Sequence, residues 1–212
     1  MMTSEHSSEL SEVEMQIASC TSKFPIVGIV ASAGGLEAFS QLLSHLPTNT
    51  GMAFVLIQHM LPNGESLLTK ILARVTKMLV SQVENGMLVE PDRVYIIPPD
   101  TQMRLFKGVF ELLPREKVSG MYMPGDTFLT SLAVDRGNCA IAVILSGSNK
   151  DGTLGLTAIK AVGGVTFAQD EDTAIFNRMP FSAIATGHVD FVLSPKQIAA
   201  ELVAIGRKAE DR

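Results

Sequence analysis

Three side chains that could form a nucleophilic set each follow a short apolar run that predicts a buried strand. They are Ser32, His59 and Asp151. A serine hydroxyl is a weak nucleophile unless a neighbouring imidazole takes its proton, and that imidazole works best when a carboxylate fixes its tautomer and balances its charge. In an open parallel sheet, loops at the carboxyl ends of strands lie together. The pattern therefore predicts a serine hydrolase.

Each of these residues also has a purely structural interpretation. Ser32 precedes two glycines at a predicted strand-to-helix junction, where serine is commonly a helix cap or part of a phosphate loop. His59 could be a satisfied structural residue at a strand end, and Asp151 could only cap the helix that it precedes. The serine segment has neither the GxSxG nor the GxGxxG pattern. Only the joint occurrence of the three at strand ends favours catalysis.

The other histidines are less favoured as the base. His6 lies in the polar N-terminal segment, His45 lies near the far end of the helix that follows Ser32, and His188 lies in a turn before the last predicted strand.

The local pattern around Ser32 predicts a strand, a sharp turn and a helix. Apolar β-branched residues fill 26–30 except for Gly28, small residues fill 31–35, and leucine or phenylalanine then recurs at three- and four-residue steps up to Leu46. The first run suits a strand that is covered on both faces, and the last suits an amphipathic helix. Free N–H groups at the start of such a helix favour negative charge near Ser32.

The remaining chain repeats the alternation of strands and helices. We predict strands at 26–30, 52–58, 79–83, 94–97, 140–145, 165–168 and 190–193, helices at 36–46, 66–75, 126–136, 154–162, 179–185 and 195–206, and an antiparallel β-hairpin at 103–106 and 109–113. This rhythm is typical of an α/β fold with a doubly wound, mostly parallel sheet and helices on both faces.

Composition limits the function classes and the domain organisation. The 212 residues carry 17 Lys and Arg against 22 Asp and Glu, a net charge of −5 without a basic cluster, which disfavours binding to nucleic acid or an anionic membrane. The first 23 residues have the pattern of neither a signal peptide nor a span, so we expect a cytoplasmic protein. We predict a flexible leader over 1–22, a single domain over 23–207 and a charged tail over 208–212.

The two cysteines do not indicate a structural framework or a metal site. Cys20 and Cys139 are too few for a disulfide scaffold and lack metal-ligand spacing, so we expect reduced thiols.

Five separated motifs resemble one known family, in the right order along residues 24–205. They are GIVASAGGLEAF (28–39), Gln58-His59-Met60, Tyr95-Ile96-Ile97-Pro98-Pro99, LSGSNKDGTLG (145–155), and Phe176-Asn177-Arg178-Met179-Pro180 with Ala183-Ile184. The family is that of the CheB-type protein-glutamate methylesterases of bacterial chemotaxis, and the similarity is greatest to the esterase half of CheB–CheR fusion proteins.

The resemblance implies a mechanism, a substrate and partners. Its nucleophile falls on Ser32, its base on His59 and its carboxylate on Asp151. Such enzymes hydrolyse γ-glutamyl methyl esters on the cytoplasmic helices of chemoreceptors, release methanol and in some cases deamidate glutamines. They need no metal or organic cofactor and do not insert into membranes. Association with, or fusion to, a methyltransferase or receiver domain is also implied, although this chain is expected to contain no receiver domain.

The resemblance also assigns residues around the reacting carbonyl. We expect the developing oxyanion to be bound near Ala33 and Gly34 and by the loop Gly147, Ser148 and Asn149.

Departures from the family pattern leave alternatives open. Asn149 and Lys150 stand where relatives carry glycine and a small polar residue, Ser148 replaces methionine or threonine, and Met123-Pro124 replaces an Arg-Pro pair. Because Lys150 is a cation beside Asp151, it could draw the carboxylate away from His59.

A docking module with a weakened triad and a hydrolase of small esters are therefore alternatives. A nucleotide-binding role is disfavoured, because the Walker lysine and the acidic ribose partner are missing. The receptor, the regulation and the oligomeric state stay open.

Overall fold

The structure is a computed structural model that describes residues 24–58, 67–117 and 120–210. The strands are β1 (Ile26–Ala31), β2 (Ala53–Gln58), β3 (Leu79–Gln82), β4 (Arg93–Ile96), β5 (Thr101–Phe106), β6 (Val109–Pro114), β7 (Ala140–Ile144), β8 (Val165–Gln169) and β9 (Phe191–Leu193). The helices are α1 (Gly35–Ser44), α2 (Leu67–Val75), α3 (Pro124–Arg136), α4 (Thr153–Ala161), α5 (Arg178–Ile184) and α6 (Pro195–Glu210), and a single 3₁₀ turn, Gly137–Cys139, leads into β7.

Seven strands form one parallel sheet in the order β3-β4-β2-β1-β7-β8-β9. After β1 the chain moves outward through β2 on one side, and it later returns to place β7 on the other side of β1. The boundary between β1 and β7 is thus where the strand order reverses. In doubly wound sheets the crevice outside the carboxyl ends of the strands at such a boundary is where ligands bind.

Helices cover both faces of this sheet and form two hydrophobic cores. Buried residues of α1, α2 and α6 pack on one face, and those of α3, α4, α5 and the hairpin pack on the other. All six residues of β1 are buried, which explains its continuous apolar run. Gly28 lies inside that run because α3 packs closely there: a Cβ atom would be 2.5 Å from Cδ2 of Leu129.

Strands β5 and β6 form a separate two-stranded antiparallel sheet. Lys107 and Gly108 connect them with φ angles of 51° and 77°. Two positive φ angles are the mark of the tight hairpin turn that matches strand twist. The hairpin packs on the second core, where the rings of Phe110 and Phe128 stack with centroids 6.5 Å apart.

The structure confirms the predicted fold class. Most element bounds differ from the predicted ones by no more than two residues; α3 begins at Pro124 because proline fits the first turn of a helix, where no N–H donor is required. The prediction of a reduced thiol at Cys139 is wrong, because this buried cysteine takes part in a disulfide bond. Within the described residues, no helix is both long and apolar enough to cross a membrane. The leader, His59, Cys20 and the last two residues lie outside the described residues, and the predicted domain limits stay a prediction.

Candidate active site

The turn that carries Ser32 connects the end of β1 to the start of α1. The Ser32 N–H donates to the carbonyl of Ser146 at 3.0 Å, and the Gly35 N–H donates back to the carbonyl of Ser32 at 2.9 Å. The first bond ties the serine to the loop after β7, and the second closes the turn. Ser32 is half-buried at the carboxyl edge of the sheet.

Gly34 makes this turn possible. Its φ of 74° is in the left-handed region, and a Cβ atom there would be 2.6 Å from Oγ of Ser146 and 3.1 Å from Cβ of Ile175. The Ser146 hydroxyl donates to the Ala33 carbonyl at 2.8 Å and accepts from the Phe176 N–H at 3.0 Å. One hydroxyl therefore holds together the loops that follow β1, β7 and β8.

The start of α1 offers hydrogen-bond donors beside Ser32. Within the described ranges, the N–H groups of Ala33 and Gly34 donate no hydrogen bond, and α1 has no capping side chain. Such N–H groups at a helix start suit a developing oxyanion. The Gly147 N–H, by contrast, already donates to the Phe176 carbonyl at 2.9 Å, so Gly147 can line the site but has no spare donor.

Asp151 is completely buried, and three backbone N–H groups hold its carboxylate. Oδ2 accepts from Gly125 at 2.8 Å, and Oδ1 accepts from Asp126 and from Gly152, each at 2.9 Å. The first two donors belong to the first turn of α3, whose N-cap residue, Met123, forms no capping side-chain hydrogen bond. Asp151 thus caps α3, and the helix fixes the direction of the carboxylate.

The loop before Asp151 accommodates its unusual residues. The side-chain oxygen of Asn149 accepts from the Asp151 N–H at 3.0 Å, which closes a local turn. Lys150 and Ser148 are exposed. In the part of the chain that the structure describes, Lys150 forms no ion pair with Asp151.

The structure brings Ser32 and the Asp151 loop together at the boundary between β1 and β7, and places the end of β2 on the other side of β1. Gln58, the last residue of β2, pairs with Ala31, the residue before Ser32. His59 itself lies outside the described residues, so its role stays a prediction. Two other histidines are away from the serine turn: His45 is exposed at the far end of α1, and His188 is exposed near Thr157 of α4.

Sequence analysis missed two residues of this region. Ser146 could have been suspected from its place at the end of a buried run, but its three-loop contact depends on the fold. The second, Asp126, is only 8% exposed; its Oδ1 accepts from the Gly155 N–H at 3.0 Å, while its Oδ2 is buried without a hydrogen-bond partner among the described residues. Burial, which has the largest effect, and the nearby charge of Asp151 together raise the pKa of Asp126 to about 6, against the opposing effect of the backbone N–H groups.

Comparison with known proteins shows one family over most of the chain. The CheB methylesterase family model matches residues 27–202. The chain belongs to the CheB methylesterase family. The resemblance found in the sequence motifs is therefore confirmed.

Two relatives and one crystal structure illustrate the similarity. A protein-glutamate methylesterase/protein-glutamine glutaminase of Pyrococcus horikoshii is 34% identical over 84% of this chain and 49% of its own length. An uncharacterised 104.1 kDa protein of Rhodobacter capsulatus is 44% identical over 62% of this chain and 14% of its own length. The crystal structure of the Thermotoga maritima CheB methylesterase catalytic domain is 33% identical, with a TM-score of 0.82, over 86% of this chain and 99% of that domain.

The coverage differs between these comparisons. The chain spans about half the length of the Pyrococcus horikoshii methylesterase but nearly all of the Thermotoga maritima catalytic domain. The similarity to the Pyrococcus horikoshii protein therefore concerns about half of its length.

Proposed function

We propose that this chain is a serine carboxylesterase that hydrolyses γ-glutamyl methyl esters on bacterial chemoreceptors, with Ser32 as nucleophile, His59 as base and Asp151 as the carboxylate that orients the base. The observation that carries the proposal is the hydrogen bond from the Ser32 turn to Ser146, which opens the loop that leads to the buried, N–H-bound carboxylate of Asp151, beside the end of β2. The names of the relatives supply the substrate class.

Acylation begins when His59 removes the Ser32 proton and Oγ attacks the ester carbonyl carbon. The carbonyl oxygen becomes an oxyanion, and we assign its binding to the N–H groups of Ala33 and Gly34, which donate to no other group among the described residues. Collapse of the tetrahedral intermediate breaks the bond to the methoxy oxygen. His59 returns the proton to that oxygen, and methanol leaves.

Deacylation repeats the sequence with water. His59 takes a proton from water, the resulting hydroxide attacks the acyl-serine, and Ser32 leaves with its proton restored. The net reaction converts one ester and one water into a glutamate side chain and methanol. With a glutamine side chain as substrate, the same steps release ammonia, in line with the glutaminase part of the relatives' names.

The proposal includes partners and organisation. The substrate is a methylated chemoreceptor helix, and the chain works beside or fused to a methyltransferase or receiver domain. The long Rhodobacter capsulatus relative, of which this chain matches 14%, is consistent with such fusions. We assign the catalytic domain to 23–207, between a leader over 1–22 and a charged tail over 208–212.

The test compares the wild type with Ser32→Ala on receptor that carries labelled methyl groups. We expect methanol release to fall at least about 10³-fold in Ser32→Ala, because loss of the nucleophile removes the covalent route. Ser44→Ala, at the exposed end of the same helix, is the matched control and should keep the wild-type rate. Equal rates for the wild type and Ser32→Ala would rule out the serine mechanism.

A fluorophosphonate probe separates the remaining alternatives. Stoichiometric labelling at Ser32 together with methanol release supports the proposal. Receptor binding without labelling would instead indicate a docking module. Labelling and turnover of small esters, without methanol release from receptor, would indicate a hydrolase with another substrate.

A further inference from the structure

Helices α3 and α4 cap each other with aspartates. Neither helix has a capping side chain at its own N-cap residue, Met123 for α3 and Gly152 for α4. Asp151, which precedes α4, accepts from the first turn of α3, and Asp126, in that turn, accepts from the Gly155 N–H of α4 at 3.0 Å. Each helix start therefore receives its negative partner from the other helix.

Two glycines keep this pair of helix starts close. A Cβ atom on Gly125 would be 2.9 Å from Oδ2 of Asp151, and one on Gly155 would be 2.4 Å from Cβ of Leu129. Because the two helix starts are packed this closely, a shift of one aspartate moves the helix start that holds the other.

Asp126 adds a second titratable carboxyl behind Asp151. Its Oδ2 is out of contact with solvent and has no hydrogen-bond partner in the described part of the chain. Burial raises its pKa to about 6, so the carboxyl is ionised at neutral pH and neutral below about pH 6. The charged groups that face it are Asp151 from the loop before α4 and, across a groove, Arg104 and Glu111 of the hairpin, which form an exposed ion pair at 3.3 Å.

We propose that Asp126 is a positioning residue for Asp151. Through the paired helix starts, Asp126 holds the Asp151 carboxylate in place, and its own carboxylate puts a further negative charge behind Asp151. This inference rests on the proposed function of Ser32, His59 and Asp151. A negative charge behind Asp151 stabilises the protonated imidazole that forms when the serine is deprotonated. The rate should therefore depend on the ionisation of Asp126 as well as on that of the base.

The experiment measures methanol release against pH for the wild type, Asp126→Asn and Asp126→Ala in the full chain. Asparagine keeps an oxygen that can accept from Gly155 but removes the charge, whereas alanine removes both. We expect kcat at pH 8 to fall about 3- to 10-fold in Asp126→Asn and further in Asp126→Ala, with KM within about twofold, because the Asp126 side chain is buried and acts through Asp151. In Asp126→Asn, the low-pH limb of the plot of rate against pH should move to lower pH by about half a unit, because loss of the negative charge lowers the pKa of the base.

Glu84→Gln is the control for removal of one negative charge. Glu84 is exposed between β3 and β4, outside the proposed site, so its substitution should leave the rate and the profile unchanged.

A stability measurement checks the buried titration independently. The pKa of Asp126 in the folded chain is about 6, above the usual carboxyl value of about 4. The stabilisation that the folded chain gains from protonated Asp126 is therefore complete below about pH 4 and is lost as the pH rises through about 6. Relative to Asp126→Asn, the wild-type unfolding equilibrium constant should rise about 10²-fold across that range.

The outcomes separate this inference from the proposed function. If Ser32→Ala is inactive and Asp126→Asn shows the lower kcat and the shifted limb, Asp126 positions Asp151. If Ser32→Ala is inactive but the Asp126→Asn profile superimposes on the wild type, the positioning role is wrong and the serine mechanism stands. If the wild type neither releases methanol nor labels at Ser32, the proposed function fails, and the role of Asp126 in it fails too.

Discussion

The Ser32 turn and the Asp151 loop lie side by side at the same sheet edge but are held in different ways. The serine turn is set by backbone sterics: small residues, a glycine with φ of 74°, and one hydroxyl from Ser146. The Asp151 carboxylate is set by hydrogen bonds, since three N–H groups from two helix starts surround it. The serine turn depends on the absence of a Cβ atom at Gly34, whereas the position of Asp151 depends on N–H donors from α3, about 25 residues earlier in the chain.

This difference predicts how each half of the site fails. A Cβ atom on Gly34 should disturb the fold and the site together, because this position has a left-handed φ and lies close to Ser146 and Ile175. A change near Asp151 should disturb its direction before it disturbs the fold, because the two helices remain packed through their apolar residues.

Among substitutions that leave the proposed triad in place, the largest effect is expected for Gly34→Ala. A Cβ atom would meet Ser146 and Ile175 and would also need a left-handed φ, so we expect a loss of about 2 to 4 kcal/mol in the free energy of unfolding. Displacement of Ser32 should lower methanol release at least about 10²-fold. Chemical denaturation measures the loss in the free energy of unfolding, and the esterase assay measures the loss in methanol release.

Gly86→Ala is the matched control for that substitution. Its φ of 83° is similar, but no atom lies within 4 Å of the added Cβ, so only the backbone cost of about 1 kcal/mol applies. Equal destabilisation by both substitutions would show that packing around Gly34 does not hold the turn.

A smaller effect on stability, with a clear effect on rate, is expected for Gly125→Ala. The added Cβ would be 2.5 Å from Cγ1 of Val30 and 2.9 Å from Oδ2 of Asp151, so it displaces the carboxylate. We expect kcat to fall about 10- to 100-fold and the free energy of unfolding to fall by about 1 to 3 kcal/mol.

The matched control is Gly206→Ala. It would place a Cβ 2.4 Å from the Thr50 carbonyl on the other sheet face, so it should lower the free energy of unfolding without changing kcat. A normal kcat in Gly125→Ala would contradict the account of Asp151.

The smallest effect is expected for Lys150→Ala. Because backbone N–H groups hold Asp151 and Lys150 is exposed, removal of this cation should change kcat less than about twofold. A large gain in rate would show that Lys150 weakens the site, as the docking-module alternative requires. Methanol release at low and high salt tests this directly.

The sequence predicted the parts of this molecule that local patterns determine. Apolar runs and helical spacing indicated the strands of the parallel sheet, and the turn at Lys107-Gly108 indicated the hairpin. The meeting of Ser32 with the Asp151 loop followed from the general rule for strand ends. Neither the reciprocal caps nor the Ser146 contact could be predicted, because they join residues far apart in the chain. Asp126 has the pattern of an ordinary acidic residue in a first helical turn, and the state of Cys139 depends on tertiary structure.

The pairing of β1 with β7 has a consequence for biosynthesis. Ala33 and Ser146, which share a hydrogen bond, are 113 residues apart in the chain. A growing polypeptide that has completed only its first half lacks β7, the Ser146 hydroxyl that holds the serine turn, and the Asp151 carboxylate. Because such distant pairing closes late in folding, the proposed ester cleavage should begin only after the second half has left the ribosome.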